Sequence, residues 1–541
     1  MKKRTKSLVA MLLMMTLLLS ACGEKMETMN KGTVDVSAVN EFPIVKEPLT
    51  LTVFANKNAN ISDITTNEFT KWYEEKTGIK IEWELVTGDV RQAINLQIAS
   101  EDYPDIFLGF DFARSEQAAY YNQDVFIDLT DLIEEHGYHI KKMFENDPSI
   151  EKNLRHTDNK ILGLPSLDLS FLRTTPNKMW VYKPWIDKLG ADIPQTTEEF
   201  YELLKRFKTE DPNGNGIADE VPLASRNSRG GQSGLDLYLM SSFLSWGTYG
   251  FSVDENGDAV FAPIQDEAKE GIRYIKKLYE EGLIHTESFV MDKARMTALS
   301  ENEVPILGCA PGVTVETFTI PGSETGRYEE FVALPPLEGP NGVRQTMAGG
   351  GDSGLTSFSI TTSCENPEAA IKWIDWFYSE EAYLKSRAPE GFRLAKDGEI
   401  GYDGKPAKFA QDQVAASSGA ADNSKWGITA VCYWPQNNSI SVADNTENKI
   451  QNENAYNAYL LYKPYERRGS VVVDFPVPDG VAEEYLELRS NIKAEIDSGF
   501  VSFIIGEKDI DKDWDVYVKR FYDLGLERYT EIVQNYLDSV K

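Results

Sequence analysis

The apolar positions change period as the chain proceeds. Leu49 to Ala55 is rich in Leu, Thr, Val and Phe, which predicts a strand. Thr66 to Thr77 sets Phe69, Trp72 and Tyr73 on one helical face, and Gly78 ends that helix. Ile79 to Val86 alternates as a second strand. Val90 to Ser100 reads as a second helix around Ile94, Leu96 and Ile98, and Asp105 to Gly109 as a third, short strand. Strand, helix, strand, helix, strand opens a parallel α/β sheet. Ligands of such sheets lie beyond the carboxyl ends of the strands, so Asn56, Asn58, Asp111 and Arg114 fall beside a candidate cleft.

A second region opens at Trp180. Thr196 and Glu199 make a capping box ahead of Phe200, Leu203, Leu204 and Phe207, which recur at helical offsets. Further helices are predicted over Glu267 to Glu281 and Pro367 to Leu384. Two more fall within Trp514 to Leu537, broken near Gly525. At the other end, Lys2, Lys3, Arg4 and Lys6 precede an apolar run from Leu8 to Leu19 that is too short to span a bilayer. That order reads as an export signal. Leu19-Ser20-Ala21-Cys22 resembles a bacterial lipobox, which implies a signal peptide over 1–21 and acyl chains, palmitate among them, on Cys22. Residues 22–48 then read as a polar tether on the extracytoplasmic face of a Gram-positive membrane.

At 541 residues and 41% apolar content, the chain is too long for one compact core and points to two large lobes. A net charge of −31 makes nucleic acid a poor partner. Cys309, Cys364 and Cys432 are odd in number and widely spaced, which fits core thiols and neither a disulfide scaffold nor a thiolate metal site. The histidines, His136, His139, His156 and His285, include no H-x-x-x-H pair for zinc. His136 and His139 read as surface residues.

One loop carries metal chemistry. Asp211-Pro212-Asn213-Gly214-Asn215-Gly216-Ile217-Ala218-Asp219-Glu220 puts side-chain oxygens at 211, 213, 215 and 219, and its glycines permit a tight curl. Ile217 can offer its carbonyl, as the seventh position of an EF-hand loop does. Such hard oxygen donors suit calcium. The twelfth position is Pro222 where an EF-hand has a bidentate Glu, so Glu220 is the candidate for the missing carboxylate. An isolated loop of this kind fits a structural ion.

Lys188-Leu189-Gly190, Pro194 to Phe200, this loop, Leu278 to Ile284 and Phe503 to Glu507 together resemble the family 1 extracellular solute-binding lipoproteins of ABC importers. That group includes alginate-oligosaccharide-binding proteins and LipO-type lipoproteins. The resemblance implies a periplasmic-binding-protein-like, type II α/β fold, with discontinuous lobes, a hinge and an interlobe cleft. It implies a structural Ca2+ on Asp211, Asn213, Asn215, Ile217, Asp219 and Glu220. The expected division is 49–170 and 351–392 for lobe one, and 171–350 and 393–541 for lobe two. Crossings are expected near Leu167–Arg173, Gly350–Phe358 and Pro389–Asp397. The expected partners are an oligosaccharide and the permease subunits, with the chain itself a monomer.

Trp246, Trp426 and Trp434 are flanked by Gly, Ser, Lys or Pro and read as loop residues whose flat faces could pack on sugar rings. With Tyr433, Asn58, Asp111 and Arg114 they make up the predicted ligand surface. A peptide receptor is the alternative. Enzyme readings are weaker. Gly351-Asp352-Ser353-Gly354 matches a serine-protease string without a supporting fold, and 86 acidic residues allow a glycosidase pair without specifying one.

Overall fold

The computed structural model describes residues 34–540, except 59–60, 157, 172–174, 176, 228–233, 348–354, 389–390, 413–422, 436–438, 443–446, 468–471, 473–474 and 476. The basic leader, Cys22 and the Gly349–Gly354 stretch with its protease-like string lie outside the described residues.

The chain begins as its periodicity predicts. β1 (Leu49–Asn56), α1 (Glu68–Thr77), β2 (Ile79–Val86), α2 (Val90–Ser100), β3 (Ile106–Phe112) and α3 (Arg114–Asn122) follow in order. β1 runs parallel to β2 from Leu49↔Ile79 to Asn56↔Val86, and parallel to β3. Leu49, Leu51, Val53 and Ala55 face one core, while Phe54 turns to a second apolar layer with Phe107, Phe110 and Phe112. Alternation along β1 therefore serves a sheet buried on both faces.

The chain then leaves this lobe. β4 (Leu167–Asp168) leads to β5 (Lys178–Tyr182), α4 (Thr197–Thr209), β6 (Val221–Leu223), α5 (Asp266–Glu280), β7 (Leu307–Gly312) and β8 (Phe331–Leu334). Their sheet has the order β8-β5-β7-β6 and belongs to a separate core. α4 starts at Thr196, whose side chain accepts the Glu199 N–H while Glu199 reaches back, completing the capping box. β9 (Thr356–Ile360) returns to the first sheet, antiparallel to β3, giving the order β9-β3-β1-β2. α6 (Pro367–Asp375) covers that sheet. The molecule is thus a two-lobed α/β protein whose lobes are not continuous in sequence.

The last third is shared between the lobes, which corrects the assignment of 393–541 to lobe two alone. β10 (Phe392–Leu394), β11 (Phe409–Gln411) and β13 (Ile440–Val442) form a small sheet. β12 (Tyr433–Trp434) pairs with β4. Trp426, Ala430 and Val431 are buried in the core of lobe one. α7 (Glu447–Tyr462), α8 (Ala482–Ile504), α9 (Trp514–Asp523) and α10 (Leu526–Val540) join lobe two through residues such as Tyr462, Phe500, Phe521 and Val533. Cys309, Cys364 and Cys432 are buried thiols outside any disulfide, as their spacing predicts.

Residues 34–48 are not tether. Val36 bridges Val45, and Ser37 N–H donates to the Ile44 carbonyl. Both Ile44 and Val45 donate to the Thr77 carbonyl at the amino edge of β2, and both are buried in the lobe-one core. Val34 N–H donates to Asn366, Lys372 donates to the Ala38 carbonyl at 3.0 Å, and Lys76 sits over the Phe42 ring. Gly78 permits this approach: at φ +77 a Cβ there would lie 2.6 Å from the Val45 oxygen. The polar composition of 34–48 hides a strap with a few buried anchors. His139 is likewise half-buried and not a surface group; desolvation, then Lys142, hold it down at about 4.

Ile44→Ala is expected to destabilise the folded chain by about 2–5 kcal/mol, the range for emptying a packed aliphatic site. Urea unfolding measures it, and a loss below about 0.5 kcal/mol, the level of an ordinary surface change, would restore the tether reading.

Candidate functional site

The crossing brings two groups of side chains together. β4 and β12 pair in parallel, with Leu167 N–H donating to the Cys432 carbonyl and Leu169 N–H to the Trp434 carbonyl. This places Asp168 at the junction, 4.0 Å from the Arg387 guanidinium, which also donates to the Ala430 carbonyl. Beyond it, Phe171 meets Tyr402, Tyr456 and Tyr459, with ring centroids 6.0, 5.2 and 4.8 Å away. All four rings are half-buried. Tyr456 and Tyr459 are three apart on α7 and lie within 20° of parallel. Burial raises the Tyr402 phenol well above its ordinary value, with Asp403, Tyr456 and Asp168 adding to the effect. The result is a half-buried cluster of rings next to a carboxylate and a guanidinium, with Tyr456 and Tyr459 near parallel and Phe171 and Tyr402 tilted against them. Such a surface packs on the C–H faces of a polyhydroxylated ring while the charged pair meets its hydroxyls.

The predicted tryptophans lie elsewhere. Trp246 is 1% exposed and packs on Phe500 inside lobe two. Trp426 is 1% exposed, stacks on Phe377 and donates its indole N–H to Thr70. Trp434 is 4% exposed, enclosed by Tyr383, Phe392 and Phe409. Their Gly, Ser, Lys and Pro neighbours mark turns, yet segments far away in sequence close over the indoles. Trp246 and Trp426 do lie outside helices and strands, whereas Trp434 ends a short strand; what is corrected is the exposed ligand surface predicted for all three, since their indoles are core and Trp434 acts as the floor beneath the small sheet. Arg114, at 5% exposure, is also core, its guanidinium directed to the Arg155 carbonyl.

Three predicted residues stay accessible. Asp111 is exposed at the carboxyl end of β3, in the left-handed region at φ 44, and accepts the Ser357 hydroxyl at 2.5 Å. Asn58, just past β1, is half-buried and donates to Thr429. Tyr433 is half-buried against the lobe-one core. Phe171, Tyr402, Tyr456, Tyr459, Asp168 and Arg387 are absent from the prediction. A signal for two of them exists in Asn454-Ala455-Tyr456-Asn457-Ala458-Tyr459, a repeated triplet that sets both tyrosines on one helical face.

The oxygen-rich loop curls as its spacing requires. Asp211 accepts the N–H groups of Gly214 and Gly216, and Asn213 and Asn215 accept those of Asn215 and Ile217. Both Asn amides also donate to Asp219. Glu220 keeps one carboxylate oxygen buried without a hydrogen-bond partner, and desolvation, with Asp219 and Asp211 beside it, raises its pKa. Among the described residues no cluster of three or more His, Cys, Asp or Glu side chains is arranged to hold a metal. The fit of this loop to a cation therefore rests on its amide and carbonyl oxygens together with the orphaned Glu220 oxygen.

Known proteins share this fold over nearly the whole chain. The fructooligosaccharide ABC transporter substrate-binding protein FusA of Streptococcus pneumoniae is 25% identical over 99% of both chains. The solved FusA EF-hand mutant in complex with fructo-nystose aligns at a TM-score of 0.71, with 21% identity over 91% of this chain and 99% of that one. The alginate-binding protein AlgQ2, solved without calcium ion, aligns at 0.69, with 20% identity over 91% and 99%. The family profile described as bacterial extracellular solute-binding protein matches residues 58–383. With two discontinuous lobes, a polar and aromatic face at their crossing and this match across most of its length, the chain belongs to the bacterial extracellular solute-binding proteins.

Proposed function

We propose that this protein captures an extracellular oligosaccharide non-covalently between its lobes and delivers it to the membrane subunits of an ABC importer. It is a binding protein and not an enzyme. The observation that carries the sugar assignment is the half-buried surface of Phe171, Tyr456 and Tyr459 beside Asp168 and Arg387. FusA, similar along the whole chain, is a fructooligosaccharide receptor, which supports a glycan over a peptide. Calorimetry with fructo-nystose, uronate oligomers and tetrapeptides tests the assignment. A glycan is expected to bind, and Tyr459→Ala is expected to weaken it about tenfold, the scale of one lost ring contact. Binding of peptides alone would transfer the function to the peptide receptors.

A structural calcium ion on Asp211, Asn213, Asn215, the Ile217 carbonyl, Asp219 and Glu220 completes the reading. The Asn213 and Asn215 amides would turn their oxygens inward, and the orphaned Glu220 oxygen would gain a partner. An ion bound only to the folded state adds about 2.7 kcal/mol at a hundredfold excess over Kd. Chelation is thus expected to lower Tm, and Asp211→Ala to abolish that response. Because the Glu220 pKa is raised, protons should displace the ion at a higher pH than they would from ordinary carboxylates. A Tm indifferent to both calcium and chelator would remove the ion from the account.

The lipid anchor is placed on Cys22, ahead of the strap. Cys22→Ala is expected to shed the protein into the medium with its melting curve unchanged. Equal fatty-acid labelling of both forms would rule the anchor out.

A further inference from the structure

The four-ring cluster draws its members from three parts of the fold. Tyr402 belongs to the small sheet, its N–H donating to the Ile440 carbonyl. That sheet rests on lobe one, because Phe392 and Phe409 pack on Trp434 and Tyr383. Tyr456 and Tyr459 belong to lobe two: on the same helix, Ala458 and Tyr462 are buried in the lobe-two core, and the Tyr462 hydroxyl accepts the Met179 N–H of β5. Phe171 sits in the crossing between β4 and β5. The Tyr402–Tyr456 contact, at 5.7 Å and 61°, is therefore a contact between lobes.

A second interlobe contact lies along α3 and α8. Ala118 and Ala119 pack on Ala482 and Leu486, Arg489 donates to the Ser115 hydroxyl, and Gln123 donates to Glu483. This contact joins two regular helices, buried at small side chains. The Tyr402 contact instead joins a half-exposed ring on a short-stranded sheet to a helix. Of the two, the ring contact is the more exposed.

We propose that Tyr402 is a positioning residue that couples sugar occupancy to lobe closure. Its ring latches the small sheet of lobe one onto Tyr456 of lobe two, and the sugar docks on the face this latch completes. The inference rests on the glycan reading above. In the unliganded protein the latch holds a closed population in place, and the ligand adds its own contacts to the same rings. A residue that raises the binding-competent fraction raises apparent affinity by the same factor.

Small-angle X-ray scattering of the unliganded protein and calorimetry with fructo-nystose test this, using wild type, Tyr402→Ala, Tyr402→Phe, Tyr456→Ala and the Tyr402→Ala/Tyr456→Ala pair. Tyr402→Ala is expected to enlarge the radius of gyration and weaken binding about three- to tenfold, the weight of one aromatic pair. Tyr402→Phe keeps the ring and is expected to restore both. In the unliganded protein the double variant is expected to open no further than the wider single one, since both remove one contact. Additive increases in the radius of gyration, or an unchanged radius of gyration in Tyr402→Ala with an intact melting curve, would overturn the latch and leave the glycan reading standing. If wild type binds no glycan, that reading fails, and the scattering of the unliganded variants still decides the latch.

Discussion

The fold depends on one aromatic stack. Phe69 and Tyr73 of α1, Trp376 and Phe377 after α6, and Trp426 pack ring on ring inside lobe one. The Trp426 indole N–H reaches Thr70, 356 residues earlier in the chain. Rings of this size each bury a large apolar area, and their edge and face contacts add to it. Three distant segments must therefore meet in lobe one, whatever the chain does between them. The excursions into lobe two follow, and so do the crossings at which the cleft is built. Asp168 and Phe171 lie where they do because β4 must leave a lobe to which residues 426–434 return.

Local chemistry is what one sequence discloses. β1, β2, the helices of the opening unit and α4 are legible because alternation, helical offsets and the Thr196–Glu199 box act over a few residues. The oxygen loop is legible for the same reason. Burial of Trp246, Trp426 and Trp434 is not, since their neighbours in sequence are turn formers while their neighbours in space are Phe500, Phe377 and Tyr383. The strap over 34–48 fails in the same way: Ile44 and Val45 find Thr77 only after α1 has formed. Tyr402 is the extreme case, because its role comes from a sheet whose strands are each three residues long and whose partners lie in both lobes.

The aromatic face also answers a problem set by charge. A chain with a net charge of −31 repels anionic ligands at a distance. Flat rings and a carboxylate–guanidinium pair that largely neutralises itself can hold an uncharged, hydroxyl-rich solute without relying on long-range attraction. On the proposed reading affinity comes from contact area and closure and depends little on long-range charge.

The strap has a mechanical consequence. Its hydrogen bonds join the amino edge of β1 and β2, the end of the sheet opposite Asn56 and Val86. Any load entering through residue 34 meets the buried anchors Ile44 and Val45 in the body of lobe one before it reaches the rest of the chain.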